Sequence, residues 1–251
     1  MTVNMPQEEQ FPQLRSLWKQ AFGDTDAFLD GFFATGFDRH RCRCVTWNDR
    51  VAAVLYWFDC YWEGKKLAYI YAVATDRDFQ GKGFCRGLME DTHGHLEKLG
   101  YRGAVLVPGS QELFGMYEKM GYRGFCPRLW QEVTAQIPVI PVQPITAEEY
   151  AAARKAALPA GGIQQDGAAL QYLATFAGFY RAEDCVFCGG GADVFLFQEY
   201  FGKMEKLPGI LAGLQVNAGR VPCSGDGPDS AMFYSLSGEE ETPTYFGLAL
   251  N

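Results

Sequence analysis

Two β-prone runs, 51–62 and 67–75, are separated only by Glu63-Gly64-Lys65-Lys66, and the second ends just before Gln80-Gly81-Lys82-Gly83. The first pair of features predicts a long β-hairpin: aromatic and β-branched side chains suit a pleated, half-buried surface, and the link carries the glycine of a tight turn. The glycine turn then opens a helix over 83–99, because Cys85, Leu88, Met89, Leu96 and Leu99 recur on one face and Gly100 follows. A strand led through a short loop onto a helix is an α/β arrangement. The flanking pattern agrees. Helices are predicted over 7–22 and 25–35, a strand over 41–47, a strand over 104–107, a helix over 111–120 stopped by Gly121, and one or two strands over 122–133.

The turn carries the chemistry. Gly81 and Gly83 let the backbone approach an anion, Lys82 adds a cation, and the helix N-terminus adds amides and the positive end of its dipole. A pyrophosphate suits that setting. The spacing is neither that of a P-loop nor that of a dinucleotide-binding turn.

The order strand, glycine loop, helix, strand, tyrosine-bearing helix resembles the GNAT family of N-acetyltransferases. The family's [R/Q]-x-x-G-x-[G/A] signature reads here Gln80-Gly81-Lys82-Gly83-Phe84-Cys85, with Cys85 in the last small position. The stretch Leu113-Phe114-Gly115-Met116-Tyr117-Glu118-Lys119-Met120-Gly121-Tyr122 is similar to the family's fourth-helix motif. The resemblance covers roughly residues 8–133 and implies a GNAT fold, a mixed central sheet flanked by helices. It implies acetyl-CoA as co-substrate, in a cleft after Ala74 and before Val105, its pantetheine arm paired with Val73 and Thr75. Its pyrophosphate would rest on the amides of Gly81, Lys82, Gly83, Phe84 and Cys85. Tyr117 would be the general acid to the leaving thiolate. The implied activity is N-acetyltransfer to a primary amine of a small molecule or peptide, by direct transfer and without a metal. The alternative is a module that binds acyl-CoA without catalysis; a longer acyl group is a third reading.

One part is missing. The strand 67–75 holds no carboxylate and no histidine where the family often places a glutamate base; Tyr69 and Tyr71 stand there. Three explanations compete: a water path past Asp59 or Glu63, a carboxylate from the second half, or binding without turnover. Tyr56, Trp57, Phe58, Tyr61 and Trp62 read as core or hairpin packing, or with one face lining an acceptor pocket. His93 and His95, two apart on a helix, read as surface or packing residues.

Pro138, Pro141 and Pro144 read as an extended linker, which predicts a domain over 1–136, a linker over 137–144 and a second domain over 145–251. That half repeats the order helix, helix, strands, helix, strands: helices over 146–158, 168–180 and 206–214, strands over 184–188, 194–197, 231–236 and 245–250, and a glycine turn at Gly189-Gly190-Gly191. It lacks the glycine signature, and reads as a smaller, degenerate GNAT-like domain. The 22 Lys and Arg against 30 Asp and Glu, net −8, argue against nucleic acid and anionic membranes as partners. Split near residue 136 the excess is −1 and −7, so the acidic half, if it borders the acceptor cleft, would favour a cationic amine with a salt-sensitive KM. The N-terminus shows no signal peptide and no run is long enough to span a membrane, which predicts a cytoplasmic protein whose eight cysteines are buried thiols rather than metal ligands.

Overall fold

The strands flanking Glu63-Gly64 pair antiparallel from Ala53 opposite Thr75 to Trp62 opposite Lys65. Glu63 and Gly64 both take positive φ, as a two-residue turn between twisted strands requires. The computed structural model describes residues 2–238 and 240–250. Met1 and Asn251, at the ends of the expected domains, and Glu239, in a Glu-Glu-Glu stretch whose sequence predicts a solvated turn, lie outside the described residues.

In chain order the elements begin with β1 (Thr2–Asn4), α1 (Phe11–Phe22), α2 (Asp26–Gly31), β2 (Cys42–Trp47), β3 (Arg50–Trp62), β4 (Lys65–Thr75), α3 (Phe84–Lys98), β5 (Gly103–Leu106) and α4 (Gln111–Glu118). They continue with β6 (Arg123–Thr134), β7 (Gln143–Pro144), α5 (Ala147–Ala157), β8 (Gln164–Gln165), α6 (Ala168–Leu173), β9 (Gly178–Ala182), β10 (Cys185–Gly190), β11 (Val194–Phe201), α7 (Leu207–Gly213) and β12 (Ala218–Ser235).

Two compact units result, one of residues up to Gly124 with Met232–Thr242, the other of Phe125–Ala231 with the residues from Pro243 on. In the first, β1, β2, β3 and β4 are antiparallel neighbours, β5 joins β4 in parallel, and Met232–Ser235 close the order antiparallel to β5. α3 covers one face, where Leu88, Met89 and Leu96 pack on Leu55, Trp57, Ala68 and Ile70. On the other face Trp18 of α1 and Phe32, 4.6 Å apart, meet Tyr56 and Tyr71 with ring centroids at 5.1 to 6.0 Å.

The second unit repeats this topology. β7, β9, β10 and β11 are antiparallel neighbours, and β12 joins β11 in parallel across the α7 crossover. Here Leu207, Ile210 and Leu211 of α7 pack on Phe187, Phe195, Phe197 and Val221. Behind the sheet Arg154 and Glu199, both at most 1% exposed, form a bidentate pair at 2.7 and 3.0 Å, and Tyr150 and Tyr245 donate to the same carboxylate.

The proline-rich stretch is not a free connector. The Ile140 amide donates to Gly209 O, β7 pairs with β9, and Ile140 and Val142 pack against the second core. The division of the chain therefore falls at Gly124 and again at Met232, because Met232–Ser235 pair with β5. Three local readings also change. The helix predicted over 168–180 stops at Leu173, and Gly178–Ala182 form β9, held by the hairpin to β10. Gly189 and Gly190 lie inside β10 rather than in a turn. The last expected strand makes a single bridge, Gly162 to Tyr245. No helix among the described residues is long and apolar enough to cross a membrane.

Candidate active site

The pairing of β4 with β5 lasts three residues, from Leu67 opposite Gly103 to Tyr69 opposite Val105. β4 itself runs on to Thr75, so its edge toward β5 is unpaired over its last six residues. The two strands thus part after Tyr69, earlier than the expected Ala74. A bulge marks the parting. Between Tyr71 opposite Tyr56 and Ala74 opposite Val54, β4 has two residues, Ala72 and Val73, against Leu55 alone. Ala72 takes φ 48°, a conformation rare for a side-chain-bearing residue, and the bulge re-aims the amides and carbonyls of the open edge. Nothing in the sequence around Ala72 signals it.

Beyond β4 the chain makes the expected turn. Gln80, Gly81, Lys82 and Gly83 are exposed, with φ 71° at Gly81 and 83° at Gly83. A Cβ at either glycine would meet nothing within 4 Å, so the cradle opens on free space. The first intrahelical bond of α3 runs from the Gly87 amide to Gly83 O, which leaves the amides of Phe84, Cys85 and Arg86 without a helical acceptor. The Gln80 side chain donates to Thr75 O at 3.2 Å and the Lys82 ammonium to Asp78 O at 2.7 Å, tying the loop to itself. Arg50 bridges Asp76 and Asp78 at 3.1 and 3.0 Å and neutralises the carboxylates nearest the turn. Glycines without neighbours, free amides and a nearby cation fit a pyrophosphate.

Tyr117 lies in α4, 6% exposed, its ring 5.6 Å from that of Tyr122. Burial pushes its hydroxyl well above an ordinary phenol, with a smaller contribution from the Cys85 thiol. Cys85 is itself raised by burial and hydrogen-bonded to the Thr75 side chain. The end of β4, the glycine turn and the α4 tyrosine therefore converge. Tyr122, given no role of its own in the sequence, has its hydroxyl 2.8 Å from Nε2 of His93. His93 is a packing residue, 8% exposed and stacked on Tyr234 at 4.2 Å. Desolvation lowers its pKa to about 4, so it is neutral.

The hairpin aromatics divide by face. Tyr56, Trp57, Phe58 and Trp62 are buried, and only Tyr61 is exposed. Asp59 accepts from the Tyr101 hydroxyl and pairs with Lys66 at 3.2 Å and Arg41 at 3.5 Å. It sits opposite Ala68, about 16 Å along the strand from Val73 at 3.3 Å per residue. Both facts remove it from the proton path. Among the described residues no group of three or more His, Cys, Asp or Glu is placed to hold a metal, and none of the eight cysteines forms a disulfide.

The sequence model of an acetyltransferase (GNAT) domain matches residues 2–125. No curated relative matches the chain. Among solved structures, a GCN5-related N-acetyltransferase from Kribbella flavida shares the fold at a TM-score of 0.73 and 16% identity, over 94% of this chain and 71% of its own. One from Anabaena variabilis does so at 0.71 and 17% identity, over 94% and 72%. A tandem GNAT protein from the clavulanic acid biosynthesis pathway aligns at 0.57 and 11% identity, over 95% of this chain and all of its own.

Proposed function

The chain belongs to the GNAT acetyltransferases, and from that premise we propose that it moves an acetyl group from acetyl-CoA to a primary amine of a small molecule or peptide. The observation that carries the reading is the open edge of β4 beside the glycine turn. Acetyl-CoA supplies an activated thioester to this cleft. Val73, Ala74 and Thr75 offer backbone groups along which an extended arm pairs as an added strand. The amides of Gly81, Lys82, Gly83, Phe84 and Cys85, with the Gln80 side chain bracing the loop, hold the pyrophosphate. A β4 amide at the bulge donates to the thioester oxygen as charge builds on it. Tyr117, held protonated by burial, gives its proton to the departing sulfur.

Steady-state release of CoA, with and without amines, tests the reading. Tyr117→Phe is expected to lower kcat 10²- to 10⁴-fold with little change in the KM for acetyl-CoA; an unchanged kcat would remove Tyr117 from the mechanism. The absence of an uncommitted carboxylate along β3 and β4 favours a second reading, a module that binds acyl-CoA without transfer. Calorimetric binding of acetyl-CoA with no amine-dependent CoA release would select it.

A further inference from the structure

Tyr71 immediately precedes the bulge, and its side chain points away from α3. Ala68 and Ile70 pack with α3, while the Tyr69 and Tyr71 rings lie 5.9 Å apart on the opposite face. Tyr71 continues there into a bed of rings: Trp18 at 5.6 Å, Phe58 at 5.7 Å and Phe32 at 6.0 Å, then Phe33 and Phe37 beyond Phe32 at 5.4 and 6.2 Å. Tyr71, Phe33 and Phe37 are half-buried, each keeping part of its ring exposed, and the Arg15 guanidinium lies over the Phe33 ring at 5.1 Å. Phe32–Gly36 form a wide π turn, closed by the Phe37 amide on Phe32 O; such turns are rare and frequent at functional sites. The charges bordering the rings are already paired, Arg15 with Asp30 at 2.7 Å and Arg41 with Asp38 at 3.3 Å. Asp59 is committed to Lys66, Arg41 and Tyr101.

Resting on the acetyltransfer reading, we propose that the acceptor is an α-amino group whose own side chain is aromatic or apolar, seated on Tyr71, Phe33 and Phe37. The rings account for the side chain. The missing base accounts for the amine. β4 carries no carboxylate, so the site favours an amine that arrives partly neutral. An α-amino group with a pKa near 7.8 is about 10% neutral at pH 7, whereas an alkylammonium near 10.4 is neutral some 10²- to 10³-fold less often. In the transfer the amine lone pair forms the C–N bond at the acetyl carbon as the C–S bond breaks. The sulfur takes the Tyr117 proton, and the proton lost by the amine nitrogen restores it through solvent, so products are the N-acetyl amine and CoA thiol.

Four amines separate the two components: phenylalanine amide, glycine amide, phenethylamine and n-butylamine, each assayed by CoA release from the full chain at pH 7. Phenylalanine amide is expected to exceed glycine amide at least tenfold in kcat/KM, and phenethylamine by more. Tyr71→Ala should erase the first advantage and leave the KM for acetyl-CoA unchanged, while Tyr71→Phe should retain it. Phe33→Ala gives the same reading should Tyr71→Ala fold poorly. Equal rates for phenylalanine amide and glycine amide overturn the ring-lined subsite alone. A preference for n-butylamine overturns the low-pKa acceptor. Tight acetyl-CoA binding with no turnover of any amine overturns the transfer reading and this proposal with it.

Discussion

Gly83 takes φ 83° with nothing near its missing side chain, so any replacement acts through the backbone and through the space where an anion would approach. Left-handed φ costs an L-residue roughly 1–2 kcal/mol. Gly83→Ala is therefore expected to lower stability by about that much. Gly83→Glu, which adds a carboxylate to the cradle, should weaken acetyl-CoA at least tenfold in a calorimetric titration. His93 makes a different demand. Its pKa is about 4 in the fold against 6.5 in an open chain, because desolvation disfavours the imidazolium. The unfolded chain thus binds more protons in this window, and the stability is present above pH 6.5 and lost as pH falls toward 4. Between pH 7 and pH 5 the loss is about 2 kcal/mol. Urea unfolding at the two pH values measures it, and His93→Gln should flatten the difference; an equal pH dependence in the variant would assign the loss to other groups.

At the scale of elements, the parallel pair splaying beside a crossover helix occurs twice, yet only β4 leads into a glycine turn. β11 leads through Gly202-Lys203-Met204-Glu205-Lys206 into a helix of seven residues, and behind it stands the sealed Arg154–Glu199 pair. A buried pair of this kind contributes little as a pair, but removing one partner strands the other charge, at a cost of about 3–5 kcal/mol. Glu199→Gln should lower Tm by about 10 °C or more in a calorimetric scan, since each kcal/mol moves a domain of this size by a few degrees. A shift of only a degree or two would mean that Arg154 finds another acceptor, such as Ile163 O, which it already reaches at 3.2 Å. The hairpin and the glycine turn are legible in the sequence because each has a local cause, a run of β-prone apolar residues and a glycine pair, while the tyrosine of α4 is legible through the resemblance of its helix to the family's motif. The bulge is not, since Tyr71-Ala72-Val73 reads as unbroken strand and only its register against β3 forces φ positive. The first part of β12, before the expected strand at 231–236, is hidden for the opposite reason. Its stretch Ser224-Gly225-Asp226-Gly227-Pro228-Asp229 has turn chemistry, and pairing with β6 makes it strand. Local propensity yields there to a tertiary neighbour.

For the whole molecule the division into units changes what its charge means. Counted by residue 136, nearly all the negative excess falls in the second half. Counted by the folded units, the first holds 15 Lys and Arg against 19 Asp and Glu and the second 7 against 11, so each carries a formal −4. The asymmetry came from counting Glu239–Glu241 with the second half, since Arg128 and Glu132, which also change sides, cancel. No unit is left with a special excess to recruit a cationic acceptor. What remains local is the positive end of α3 with Lys82, which attracts an anion over a distance comparable to the screening length, about 10 Å at 0.1 M salt. Raising ionic strength from 0.05 to 0.5 M should therefore increase the KM for acetyl-CoA severalfold. The KM of an amine with an apolar side chain should stay within about twofold. The two constants are separable in one initial-rate grid. If the acceptor KM climbs as steeply as that of acetyl-CoA, acidic surface does recruit the amine. The affinity of the ring bed would then be secondary to charge.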